Sequence, residues 1–297
     1  MDRREFILGG AALAGVGAFA SPVRSLVGSN GEGYVESAMP TVFDYIQDGL
    51  IALWDGIENI GSGEHLDGNT PWVNLVTGET LNTGSTYFFE DNHLDMTSNV
   101  TGPTTSFNNT TFKAAWQAAV DVREYSLEIV QGLYEILPDS GSGLNNTIRV
   151  NIQPNVYGWL GTVNVSSKTP DNQSLIFNTN AGGNGNYWNH KRGYTNLLGD
   201  RSFTSVITPN GDLRVNHEGY LDGSRVEVTS IGPWPTQNIA DENVSFANVR
   251  NGSWRLGRSN YNPQSVDRIY SIRVYARALT ANEVAYNHQI DKARFGL

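Results

Sequence analysis

Short runs in which apolar and polar residues alternate, each closed by a cluster of Gly, Asn, Asp or Pro, recur along most of the chain. They are Gly49–Trp54, Trp72–Leu75, Thr86–Phe89, Tyr125–Leu133, Thr147–Ile152, Tyr157–Val165, Ser174–Asn178, Phe203–Thr208, Leu213–His217, Ser224–Thr229, Ser253–Gly257 and Val266–Ala276. A period of two sends successive side chains to opposite faces of a strand, and the turn formers stop each strand after a few positions. Many short strands at this spacing predict an all-β fold, a two-sheet antiparallel β-sandwich of the jelly-roll kind. Asn210-Gly211 and Asp222-Gly223 supply the positive φ angles of tight hairpins, so residues 203–229 read as a β-meander. Two helices interrupt the strands. One lies near residues 110–121, which are alanine-rich, and one near 281–292, where Thr280 and Glu283 form a capping box.

With 297 residues, 39% hydrophobic and 17% charged, the chain is long enough for one large all-β domain. Its net charge of −10 and the lack of any basic run argue against nucleic acid, whose phosphates ask for a basic patch. There is no cysteine, which removes disulfides, thiolate metal sites and cysteine nucleophiles. Residues 1–20 have a charged start, an apolar stretch Phe6–Ala20 and a small-x-small end at Ala18-Phe19-Ala20, the anatomy of an export signal. Arg3-Arg4 followed by Phe6 resembles the twin-arginine pattern, though Asp2 stands where that pattern has Ser or Thr, and an ordinary secretory signal remains the alternative. Residues 21–40 read as a flexible lead-in and 41–297 as one domain. The chain is therefore expected to be exported from a bacterial cell, to the periplasm, the surface or beyond, with no membrane insertion of its mature part.

The stretch "SWRLGRSNYNPQSVDRIYSIRVYARALTANEVAYNHQIDKARF" resembles the end of the laminin G-like, concanavalin A-like jelly-roll family. The residues that carry the likeness are Val266, Asp267, Ile272, Val274, Tyr275, Arg277, Leu279, Thr280 and Glu283. "GLIALWDGIEN" and "TPWVNLVTG" resemble the opening of bacterial members, and "DLRVNHEGYLDGS" a strand–turn–strand of theirs, with His217-Glu218 as a departure. The resemblance implies two stacked, curved antiparallel sheets, a fold that hosts lectins, glucanases and adhesion domains alike. Many relatives in that family hold a structural or ligand-bridging calcium, so the resemblance leaves a calcium possible rather than predicted. Physically, the parity Tyr270, Ile272, Val274 and Ala276 reads as core and Ile269, Ser271, Arg273 and Tyr275 as the polar side. Arg277 reads as a structural arginine that holds carbonyls or a carboxylate at the strand end.

Asp55, Glu58, Glu64, His65 and Asp67 crowd into "DGIENIGSGEHLD" after an apolar run. A jelly-roll glucanase aims two carboxylates from one strand face, whereas these acids sit in a glycine-punctuated loop. No strand-like run carries the acid spacing of such enzymes, and no HExxH, Gly-x-Ser-x-Gly or phosphate-cradling loop occurs. These absences lead to the expectation that the chain is not an enzyme. No cofactor is expected beyond the calcium that the 55–67 loop could partly ligate, and that loop lacks an Asp-x-Asp-x-Asp ladder.

Sugar binding on a β-sandwich relies on aromatic rings flanked by hydrogen-bonding side chains. "NTNAGGNGNYWNHKRGYTN" gathers Tyr187, Trp188, His190, Arg192 and Tyr194 after a Gly-rich bend and reads as a surface loop. Trp234, between prolines, is a second loop tryptophan. Trp188 has two readings, a ligand platform or a plug at the sandwich end. Trp54, Trp72, Trp116, Trp159 and Trp254 sit among aliphatics and read as core. The expected role is a secreted, non-catalytic recognition or adhesion module whose partner is a glycan, with a structural surface or assembly protein that binds a protein partner as the alternative and a diverged glycoside hydrolase ranked last.

Overall fold

A computed structural model describes residues 39–61, 63–81, 88–95, 104–105, 111–136, 150–153, 159–167, 173–180, 188–194, 199–209, 215–226, 230–231, 253–256 and 265–297. The expected export signal and most of the lead-in lie outside these residues, as does the Asn210-Gly211 turn. In chain order the strands are β1 (Leu50–Asp55), β2 (Trp72–Val73), β3 (Thr80–Leu81), β4 (Phe88–Glu90), β5 (His93–Asp95) and β6 (Thr104–Thr105). After helix α1 (Thr111–Val122) come β7 (Tyr125–Ile136), β8 (Val150–Gln153), β9 (Trp159–Ser167), β10 (Gln173–Asn180) and β11 (Trp188–Tyr194). Then follow β12 (Gly199–Pro209), β13 (Val215–Leu221), β14 (Ser224–Arg225), β15 (Ser230–Ile231), β16 (Ser253–Leu256), β17 (Ser265–Tyr275) and helix α2 (Ala281–Phe295). The fold is all-β and antiparallel with two short helices, as the alternation predicts.

The largest sheet has eight strands in the order β14-β13-β12-β7-β17-β5-β4, with β1 also paired to β17. A four-stranded sheet runs β15-β11-β10-β9, and smaller ones run β6-β16-β8 and β2-β3. β12, β13 and β14 form the expected meander. Its second turn is made by Asp222 and Gly223, at φ 50° and 73°, which is the left-handed pair that Asp-Gly tolerates.

One face of the large sheet meets α1. Phe112, Trp116, Ala119 and Val120 recur at helical spacing and pack with Trp54, Leu127, Ile129, Ile272 and Val274. Trp54 meets Phe112 edge-on at 5.5 Å and Trp116 meets Tyr125 at 4.9 Å. Each such buried side chain contributes about 1.5–3 kcal/mol. Trp54, Trp72 and Trp116 are all buried, as their aliphatic settings suggest.

The other face corrects the reading of β17. A register irregularity between Ile269 and Ser271 against β7 breaks the alternation. Ile269 therefore joins the core of Ile272 and Val274, while Tyr270 packs with Val130 and Phe295 in a separate cluster. Nor is the polar parity at the surface, since Ser271, Arg273 and Tyr275 are buried. Helix α2 and the segment before β1 roof them over. Asn287 of α2 takes the Ile46 N–H at 3.0 Å, and Asp291 takes the Tyr45 hydroxyl at 2.8 Å. The Thr280–Glu283 capping box forms as the sequence predicts.

Candidate functional site

The acidic stretch after β1 is the first candidate, and Asp55, Glu58, His65 and Asp67 are taken up by backbone groups, by one another and by Arg294 of α2. Asp55 is fully buried and accepts the N–H groups of Ile57 at 2.9 Å and Glu58 at 3.1 Å. Arg294 of α2 closes on the same oxygen at 2.8 Å and donates to the Pro40 carbonyl at 2.8 Å. Burial pushes the Asp55 carboxyl up, and the Arg294 charge draws it back. Glu58 accepts the Gly63 N–H at 3.1 Å, and Asn59 bonds the Leu66 backbone through both ends of its amide. His65 is held between the Gly56 carbonyl at 2.9 Å and Asp67 at 2.8 Å, and Asp67 also accepts the Asp91 N–H at 3.1 Å. The hydrogen bond from His65 holds the Asp67 carboxyl below its ordinary range. These are the contacts of a tied-down connection, with Asp55, Glu58 and Asp67 serving as backbone caps.

A second polar concentration lies under α2. Arg273, 1% exposed, donates from Nε to Glu128 at 2.8 Å and from both terminal nitrogens to Asp291 at 2.7 Å. Its guanidinium stacks on the Tyr45 ring at 4.1 Å. Glu128 also accepts from Asn287 at 2.8 Å. Burial raises the Glu128 carboxyl, and the Arg273 charge opposes that rise. Arg277 does what was expected of it. It donates to the carbonyls of Asp48 at 3.0 Å and Ala278 at 3.1 Å, and bidentately to Glu283 at 2.6 and 3.0 Å.

The aromatic cluster expected on a loop is placed differently. Trp188–Tyr194 is strand β11, paired with β10 along its length and with β15 at His190 and Lys191. Its Gly and Asn content signals a loop, but hydrogen bonding to a neighbour on each side makes it a strand. The pleat then puts Trp188, His190, Arg192 and Tyr194 on one face. Opposite them in β10 stand Thr179, Phe177, Leu175 and Gln173, and Val163 and Val165 of β9 stand opposite Phe177 and Leu175. Asn189 and Lys191 belong to the other face, with Asn178 and Ile176 of β10 and Thr162 and Asn164 of β9. Tyr187 and Trp234 lie outside the described residues, and so does the Gly-rich bend before β11. Among the described residues no helix is long and apolar enough to cross a membrane.

A third group escapes the sequence reading. Glu90, His93 and Asp95 meet on the β4–β5 hairpin, each with a donor atom within 4.8 Å of the others. β5 has only three residues, too few to show a period, and its neighbours Asp91 and Asn92 look like turn residues. The signal that could have found it is Glu-x-x-His-x-Asp around such a turn.

No protein-family model matches the chain, and no curated protein does. The likeness to the laminin G-like family therefore rests on the β-sandwich itself. Among solved structures, a Trypanosoma rangeli sialidase in complex with sialic acid superposes with a TM-score of 0.51 at 12% identity, covering 86% of this chain and 34% of that one. The same organism's sialidase in complex with 2,3-difluorosialic acid, a covalent intermediate, gives 0.50 at 12% identity over 86% of this chain and 34% of that one. The chain thus spans about a third of the length of the sialidases it matches. These likenesses show the fold. They also correct the expectation that the chain is not an enzyme, because chains that share this fold are sialidases. That expectation rested on missing sequence motifs, and folding can assemble a catalytic group from residues far apart in sequence.

Proposed function

We propose that the chain recognises carbohydrate through the four-stranded sheet, on the face that carries Trp188, His190, Arg192 and Tyr194. The register of β11 carries the reading, since it aligns two aromatic and two hydrogen-bonding residue types on one side of one strand. Rings that stack on pyranose faces, with donors beside them, are what sugar recognition needs. An arginine adds a bidentate partner for a sugar carboxylate. The structural neighbour solved with sialic acid supports trying acidic sugars first. Export from the cell is part of the proposal, and retention of an Arg3→Lys, Arg4→Lys double variant in the cytoplasm would support the twin-arginine route.

A glycan array that includes sialylated oligosaccharides tests the reading. Trp188→Ala should weaken a hit by about 0.5–1.5 kcal/mol beyond lost area. Lys191→Ala, on the opposite face, should leave it unchanged. Loss of binding in Lys191→Ala alone would move the site to the Asn-rich face. No hit on the array, together with self-association in light scattering, would replace the glycan with a protein partner. Release of sugar from a bound glycan would show that recognition serves catalysis.

A further inference from the structure

The β4–β5 hairpin brings together three side chains that carry metal-ligating atoms. Glu90 stands directly opposite His93, and Asp95 follows two positions on, so all three share one face of the hairpin. Phe89 and Leu94 alternate to the other face and sit in the apolar core, which fixes the register. A carboxylate oxygen of Glu90, one of Asp95 and a ring nitrogen of His93 lie within 4.8 Å of one another.

The histidine is the informative member. It is 4% exposed, and its ring lies 5.4 Å from that of Tyr270. Nδ1 is 3.2 Å from the Asn92 side-chain oxygen, which only accepts, so Nδ1 carries the proton and Nε2 keeps its lone pair. Nε2 is buried and, among the described residues, has no hydrogen-bond partner. Buried polar atoms are almost always paired, and an open imidazole lone pair on a side chain grouped with two carboxylates asks for a positive partner. A ligating histidine commonly donates its second ring nitrogen to an oxygen acceptor, as this one does to Asn92. The turn that bears Asn92 is itself fixed, because it packs so tightly on Gly56 that a Cβ there would overlap the Asn92 carbonyl.

We propose that Glu90, His93 and Asp95 bind a divalent transition cation of the zinc class. An imidazole donor favours such ions over calcium and magnesium, which prefer oxygen alone. Among the described residues the charges that act on the ring are those of Arg268, the strongest, and of Asp95, Glu90 and Asp91, with Arg268 opposite Asp95 on β17. Bonds of about 2.0–2.2 Å require the donors to draw together, and Glu90, exposed at the end of the hairpin, can rotate to do so. Three protein ligands leave a fourth position for water or an outside oxygen.

Calorimetric titration of the chelator-stripped full chain with zinc chloride tests the assignment. One saturable site is expected, with affinity reduced about tenfold or more in both Glu90→Gln and His93→Gln. Zinc should raise the melting temperature of the wild type and leave that of the variants nearly unmoved. Glu90 is exposed, so Glu90→Gln keeps the test intact if His93→Gln fails to fold. Absence of saturable zinc binding, binding that neither substitution weakens, or a preference for calcium over zinc would overturn the proposal.

Discussion

Arg273 and His93 are both buried in the large sheet, 1% and 4% exposed, yet their surroundings are opposite in kind. Around Arg273 each guanidinium nitrogen meets an acceptor, with Glu128 and Asp291 as counter-charges and Asn287 tying them to α2. Around His93 one ring nitrogen is engaged and, among the described residues, the other is open, and two carboxylates are grouped with the ring. The difference separates charge that holds a structure together from charge that waits for a ligand. A closed network should answer substitution with lost stability, and an open one with lost binding.

The largest effect should come from Arg273→Ala, which strands two buried carboxylates. Removing one partner of a buried ion pair costs about 3–5 kcal/mol, so urea denaturation should show a loss of that order. A loss below about 1 kcal/mol, the range of surface pairs, would mean that the network does not hold α2 and would break the contrast. Next comes Thr280→Ala, which removes the α2 cap and should cost about 0.5–2 kcal/mol in the same assay. Glu283→Gln should have a smaller, pH-dependent effect. Its hydrogen bond with Arg277 lowers the Glu283 carboxyl from 4.5 to about 2, so the folded state favours the charged form. The stabilisation is complete above about pH 4.5 and fades as the pH falls towards about 2. The pair is solvent-screened, so its size is about 0–1 kcal/mol. The gap between wild type and variant in urea midpoint should therefore narrow on acidification, and a gap that widened would contradict the assignment. Smallest of all, Glu90→Gln without added cation should stay within about 0.5 kcal/mol of wild type. A large loss there would make the hairpin a second structural network.

Local chemistry explains what was legible in the sequence. The Thr280–Glu283 box and the Asp222-Gly223 turn are set by residues a few positions apart, and both occur. The α2 helix runs to Phe295, three residues past the expected end, and those residues include Arg294, which reaches Asp55. What escaped depends on partners distant in sequence. Glu128 and Arg273 are 145 positions apart, and nothing in either strand announces the other. The irregularity after Ile269 moves Tyr270 to the opposite cluster, and neither composition nor period marks it. β11 reads as a loop because its Asn, Lys and Gly residues hide a strand that only pairing with β10 and β15 reveals. The same pairing fixes which of its residues share a face, although the sequence had already singled out Trp188, His190, Arg192 and Tyr194.

The recognition reading meets its most direct test in glycan affinities measured side by side for wild type, Trp188→Ala and Lys191→Ala. It predicts a glycan ligand for the wild type, an affinity reduced at least about twofold to tenfold in Trp188→Ala, and none of that loss in Lys191→Ala. A wild-type chain that binds no glycan, or a Trp188→Ala variant that binds as tightly as the wild type, would contradict it.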